Sequence, residues 1–166
     1  MTPEEYCKYN LFVNLKSPYA KPVIIGCRIL IAALFLVVAL TRFRESMPAA
    51  IGIAAVGAVI ELLLTPVIKL GVKGMVKSVN KNNLYSSVAE VELTEESVRE
   101  TDELGVLERK YAAIDCACIV KDFGIILFLT PSLAIVLPDS SFKTQEEYNE
   151  IVSFIRSKVE KTKDFA

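Results

Sequence analysis

The pattern of apolar and polar positions divides the chain into a helical half and a strand half. Val23–Leu40 and Ala49–Leu64 are two nearly unbroken apolar runs separated by the polar stretch Thr41–Pro48. With their flanks, each run reaches the roughly 20 residues a helix needs to cross a hydrocarbon core about 30 Å thick. The connector is too short to hold a domain. Two antiparallel helices over about 23–40 and 49–70 are therefore expected as a transmembrane hairpin. Helices apolar on every face need lipid or a much larger core around them. Ahead of them, Thr2 and Glu5 form a T-x-x-E capping box around Pro3, and Tyr6, Tyr9, Phe12, Val13 and Lys16 recur at helical spacing. Tyrosines mixed with lysines suit a membrane interface, so residues 1–22 are expected as an interfacial amphipathic helix; packing against the strand domain is the equal alternative. Pro22 opens the first span. Beyond the second, KLGVKGMVKSVNKNN extends it as an amphipathic helix along the membrane surface, and Gly71, Gly74 and Asn80–Asn83 mark its end.

From Leu84 the period becomes alternating. Strands are expected over Val88–Leu93, Ser97–Thr101, Val106–Tyr111, Ala113–Lys121, Ile125–Thr130 and Ser132–Leu137. Turn residues stand at Thr94–Glu96, Asp102–Gly105, Asp122–Gly124, Pro131 and Pro138–Ser141. Short strands at this spacing predict an antiparallel sheet that curls on itself. A second T-x-x-E box, Thr144 with Glu147, caps a last helix over 144–161, whose stripe is Tyr148, Ile151, Val152, Ile155 and Val159. Lys161–Ala166 is expected to fray. The fold class is thus α+β: a two-helix transmembrane hairpin, residues 23–83, followed by an antiparallel strand domain, residues 84–166, capped by a C-terminal helix.

Two charges interrupt the hairpin. Arg28 lies seven residues after Lys21 and Glu61 eight before Lys69, which puts both roughly 10–12 Å inside the lysine-marked side. Ala32 and Ala39 share the face of Arg28; Ala50, Ala54, Gly57 and Ala58 share that of Glu61, and small residues let membrane helices approach closely. An Arg28–Glu61 ion pair inside the hairpin follows. An intramembrane charge is costly and so is a functional candidate; a pair that only fixes helix register is the alternative. Pro66, one turn on, invites a kink. Lys69, Lys73 and Lys77 are four apart on one helix face, where they read as an anionic-lipid contact or as an ordinary polar flank.

Composition agrees with a membrane protein: 52% hydrophobic residues and a mean hydropathy of +0.41. A net charge of −1 offers no field for nucleic acid. Lysines flank both spans on the terminal side, so the positive-inside rule puts both termini in the cytoplasm. The chain has no histidine, and Cys116 and Cys118 form a lone C-x-C without a second ligand pair. Nucleophile-elbow, zinc and phosphate-loop patterns are missing from the sequence, and no cofactor is expected.

The segments TPEEYCKYN…KSPY, VELTEESVRET, RKYAAIDCACIVKDFGIILFL and LPDSSFKTQEEYNEIVSFI resemble the YcxB-like family of bacterial membrane proteins across nearly the whole chain. Pro138, Phe142 and Glu146–Glu147 carry the family's transition from strand to helix. The resemblance implies a pleckstrin-homology-like strand domain in a bacterial inner-membrane protein, and it implies no reaction.

Three functions compete. A membrane-anchored protein-interaction module without catalytic activity fits best, with the lipid bilayer and a cytoplasmic protein as partners. Eight acidic residues lie between Glu90 and Glu108, answered there by Arg99 and Arg109, which suits a basic partner or an ordinary solvated outer sheet face. A homo-oligomeric small transporter or channel subunit would use Arg28–Glu61. A phospholipid-headgroup module would need a basic pocket among the strands.

Overall fold

The computed structural model describes residues 1–81, 90–102 and 105–165. The chain divides into two compact units, Tyr6–Asn82 and Asn83–Ala166 with Met1–Glu5. Helices stand at the N-terminus; sheets and one further helix follow.

Helix α1 spans Pro3–Leu15. Its capping box forms as the sequence dictates: Thr2 N donates to Glu5 Oε2 at 2.6 Å and Glu5 N to Thr2 Oγ1 at 3.2 Å. Asn10 and Phe12 are its buried residues, and Lys16 of the expected stripe is exposed. Ser17 joins α1 to α2: its hydroxyl donates to Val13 O and accepts from Ala20 N. Helix α2 runs from Ala20 to Phe43 and helix α3 from Met47 to Lys81. The helices claim most of the expected connector and leave Arg44–Ser46 between them, where Arg42 pairs with Glu45 at 2.5 Å. Helix α3 continues through Pro66, Gly71 and Gly74, so the glycines do not end it. The expected end at Asn82–Asn83 and the strand residues Val88 and Ala89 lie outside the described residues.

Helices α2 and α3 meet along one stripe each. On α2 the less exposed residues are Ile24, Arg28, Ile31, Phe35 and Ala39; on α3 they include Ala50, Ile53, Gly57, Glu61, Leu64 and Ile68. Both sets recur three or four residues apart, one helix face. Ala32, Ala54 and Ala58, expected in the seam, are exposed instead. The close approach is local and of another kind: the Phe35 side chain lies on Gly57, where an added Cβ would stand 2.7 Å from Phe35 Cγ. Away from the seam the helices present large apolar side chains outward, Leu30 at 72% and Leu62 at 76% exposure among them.

Among the described residues the strand unit holds two sheets. Strands β1 (Glu90–Leu93), β2 (Ser97–Asp102) and β3 (Gly105–Lys110) form an antiparallel sheet in that order. Strands β4 (Cys116–Val120), β5 (Gly124–Thr130), β6 (Leu133–Pro138) and β7 (Thr162–Phe165) form the second, ordered β6-β5-β4-β7. Tyr111–Ala113 makes a tight helical turn where strand was expected to continue on both sides. Helix α4, Gln145–Lys158, starts at its predicted cap, with Glu147 N donating to Thr144 Oγ1 at 3.1 Å. Val98, Ile114, Ala117, Ile125, Leu127, Ile135 and Leu137 pack with Val152, Ile155 and Val159 in one core. Each fully buried aliphatic side chain there contributes about 1.5–3 kcal/mol.

Residues expected to fray form β7 instead. It pairs parallel to β4, so the sheet is mixed rather than antiparallel throughout. Ala117 N donates to Lys161 O and Lys121 N to Phe165 O, both at 2.9 Å. TKDF carries no apolar run because an edge strand needs only its backbone to pair.

Candidate functional site

The sequence-predicted charges of the helical unit come together with a third partner. Arg28 Nε lies 3.9 Å from Glu61 Oε2, an ion pair without a hydrogen bond. Arg28 Nη2 donates to Thr65 Oγ1 at 2.6 Å. The buried Arg28 Nε and Glu61 Oε1 have no hydrogen-bond partner among the described residues. Counting from the turn, Arg28 and Glu61 are each about 22 Å along their helices, so antiparallel packing sets them at one level. Thr65 was missed by sequence reasoning. Its signal is the Thr-Pro pair inside an apolar helix: Pro66 removes one backbone hydrogen bond, and a neighbouring hydroxyl commonly serves such a break. Lys69, Lys73 and Lys77 are all exposed, and the buried Val72 and Val76 lie on the seam side of the same helix.

The acidic run is split by strand geometry. Glu92, Arg99 and Glu108 stand in one cross-strand row, with Arg99 3.4 Å from Glu92 and 3.3 Å from Glu108. Ser97 Oγ also donates to Glu108 at 2.7 Å; this bond, then Arg99, holds the Glu108 carboxyl below its usual range. Glu95 pairs with Lys158 of α4 at 2.7 Å, a cation that sequence spacing could not supply. Glu103 lies outside the described residues. The opposite face carries Val91, Leu93, Val98 and Glu100, because successive side chains alternate across a strand. The outer face is therefore less acidic than the sequence suggests.

Glu100 and Asp102 instead line a cavity of about 350 Å³ with Gly105, Val106, Leu107 and Leu133. Burial first, then the neighbouring Asp102 charge, raises the Glu100 carboxyl above its ordinary value. Val106 and Leu133 are 64% and 47% exposed. Among the described residues β3 is an edge strand of its sheet and β6 of the other. The cavity thus joins carboxylates, apolar walls and an open sheet edge, an arrangement suited to a cationic, partly apolar segment. A second cavity of about 420 Å³ is lined by Lys121, Asp122, Asp139, Phe142, Lys143, Thr144, Gln145 and Tyr148. Its helix N-terminus is already engaged: Glu147 Oε2 accepts from Lys143 N, and Thr144 accepts from Glu147 N. Cys116 and Cys118 share one strand face, Sγ to Sγ 3.9 Å, and are buried; burial first, then Cys116, pushes the Cys118 thiol up.

Residues 93–155 match the model of a family described as YcxB-like protein. The match runs from the end of β1 into α4, so this part of the chain is similar to that family, whereas the sequence resemblance had extended over the helices as well. Comparisons with curated proteins and with solved structures found no match.

Proposed function

We propose that the protein is a membrane-anchored interaction module that acts by binding, with α2 and α3 as a transmembrane hairpin. What supports the anchor is exposure: α2 and α3 are long and apolar enough to cross a bilayer, yet only 6% of each apolar window is buried. A core helix of a soluble domain would be mostly covered. On this reading the Arg28–Glu61–Thr65 cluster fixes hairpin register, and Lys69, Lys73 and Lys77 leave the bilayer at the headgroups of a bacterial inner membrane, with both termini cytoplasmic. The strand unit is read as pleckstrin-homology-like, a three-stranded and a four-stranded sheet sharing a core with α4, with β7 added after the helix.

The single observation that carries the binding role is the Glu100–Asp102 cavity beside the open edge of β3. Its partner is a basic, apolar-flanked extended segment of another protein. In-cell crosslinking of the tagged full chain, followed by purification from membranes, tests this. A defined partner captured by the wild type and lost on Glu100→Gln with Asp102→Asn is the expected result. A partner captured equally by the double variant, or crosslinks only between copies of this chain, overturns it.

A further inference from the structure

We infer that the Lys21–Lys69 end of the hairpin seam binds the phosphate of one anionic phospholipid, with Arg28 reaching it from within. This rests on the transmembrane reading of α2 and α3.

Lys21 precedes the end of α2 by about as many residues as Lys69 follows the start of α3, so the two stand level at about 33 Å from the turn. Lys21 is seven residues before Arg28, nearly two full turns, and therefore on the same face of α2. Lys69 is four after Thr65, on the same side of α3. A helical side chain leans toward the N-terminus of its own helix. For Arg28 that direction is the Lys21 end; for Glu61 it is the opposite end. The bond from Arg28 Nη2 to Thr65 Oγ1 agrees, because Thr65 is about 5 Å nearer the lysines than Arg28's own level.

The guanidinium therefore lies on the lysine side of its carboxylate. Its Nε is buried beside Glu61, and one of its outer N–H groups serves Thr65. The side chain as a whole is 42% exposed, and Nε contributes nothing to that exposure. Lys21, Arg28 and Lys69 against Glu61 leave net positive charge at the seam end. A phosphodiester monoanion matches it, and the guanidinium fork is suited to two phosphate oxygens at once. The surroundings favour a lipid over free phosphate. Val23, Ile25, Val67 and Leu70 are 64%, 47%, 59% and 69% exposed around the same level and offer apolar surface to acyl chains. Lys73 and Lys77 lie about 6 and 12 Å farther along α3, past the first residue of α2, and so fall outside the site.

Native mass spectrometry of the full chain, purified in detergent and offered phosphatidylglycerol or phosphatidylcholine, is the test. The wild type should retain phosphatidylglycerol preferentially. Arg28→Gln should weaken that retention roughly tenfold, the scale of one charge-assisted bond. Lys21→Gln with Lys69→Gln should also weaken it, while Lys73→Gln with Lys77→Gln should leave it unchanged. Should Arg28→Gln lose helicity, the exposed Lys21/Lys69 pair carries the test alone. Retention unaffected by the Lys21/Lys69 change, loss on the Lys73/Lys77 change, or displacement by millimolar inorganic phosphate would each overturn the inference. The transmembrane reading is checked separately by alkaline carbonate washing of membranes. A chain that stays in the pellet without lipid preference refutes this inference only; a chain that washes off refutes both.

Discussion

Gly124 is the position where the strand unit should tolerate a methyl group least. It opens β5 with φ +130°, a backbone conformation that L side chains rarely adopt. A Cβ there collides with Leu137 O and comes within 2.9 Å of Asp139 N and of Pro138 C. These are backbone atoms of the strand to which β5 is paired, Gly124 opposite Pro138, and of Asp139 just after it, whose N–H donates to Phe123 O, so they cannot swing aside without breaking the ladder. Strain at such a φ costs about 1–3 kcal/mol, and forcing extra volume into packed structure costs about 1–3 kcal/mol more. Gly124→Ala should therefore lose about 4 kcal/mol, a large share of the roughly 5–15 kcal/mol that holds an ordinary domain. Gly105→Ala is the internal comparison. Its φ is +145°, but nothing lies within 4 Å of the added Cβ, so only the backbone strain applies. Hydrogen exchange of the β5 amides in the full chain, in detergent micelles, reads both losses as opening free energies. A Gly124→Ala loss below about 1 kcal/mol, or one no larger than that of Gly105→Ala, would refute the steric argument.

Three further outcomes are expected. Burial and Asp102 raise the Glu100 carboxyl, so the folded state holds that proton more tightly than the unfolded state. Stability then falls as pH rises from the ordinary carboxylate value through the raised one. Glu100→Gln should remove that slope and exceed the wild type at neutral pH, with the gain vanishing on acidification in denaturant titrations. Cys116 and Cys118, at 3% and 0% exposure with the Cys118 thiol pushed up, should resist a water-soluble thiol reagent until denaturant is added. Gly57→Leu should separate α2 from α3, because Phe35 already occupies that space, and should be seen as faster protease cleavage near Arg42–Glu45 in proteoliposomes; Gly52→Leu, with nothing within 4 Å, should not.

Local chemistry was legible where a residue acts on its own neighbours. The Thr2–Glu5 box closes as written, Thr144 caps α4 while Glu147 reaches Lys143 N instead of Thr144 N, the Asp122–Gly124 turn falls in place with Asp122 at φ 59°, and the apolar stripe of α4 faces the core. What failed depends on partners distant in sequence. Strand β7 reads as a charged tail because the backbone of β4, some 45 residues away, provides its reason to extend. Small residues alone could not say which alanines lie in the seam; the Phe35 ring chose Gly57, and Ala54 and Ala58 turned outward. The level of Arg28 with Glu61 followed from counting residues, whereas the hydroxyl of Thr65 needed coordinates. The acidic run looked like one surface until alternation sent Glu100 to the other side of its strand from Glu92 and Glu108.

Strand β5 has a further consequence. Gly124–Phe128 is buried residue after residue, with Ile126 and Phe128 on one face and Ile125 and Leu127 on the other. An ordinary half-exposed strand can carry a charge on its wet side. This one has no wet side until Thr130, and its flanking charges are Lys121 and Asp122 in the preceding turn. IILFL is therefore a five-residue stretch of high β-propensity without a charge, the composition that associates between chains once uncovered. Variants that loosen the strand unit should show their defect as aggregates, in proportion to how often β5 is released, before any change in the soluble fraction can be measured.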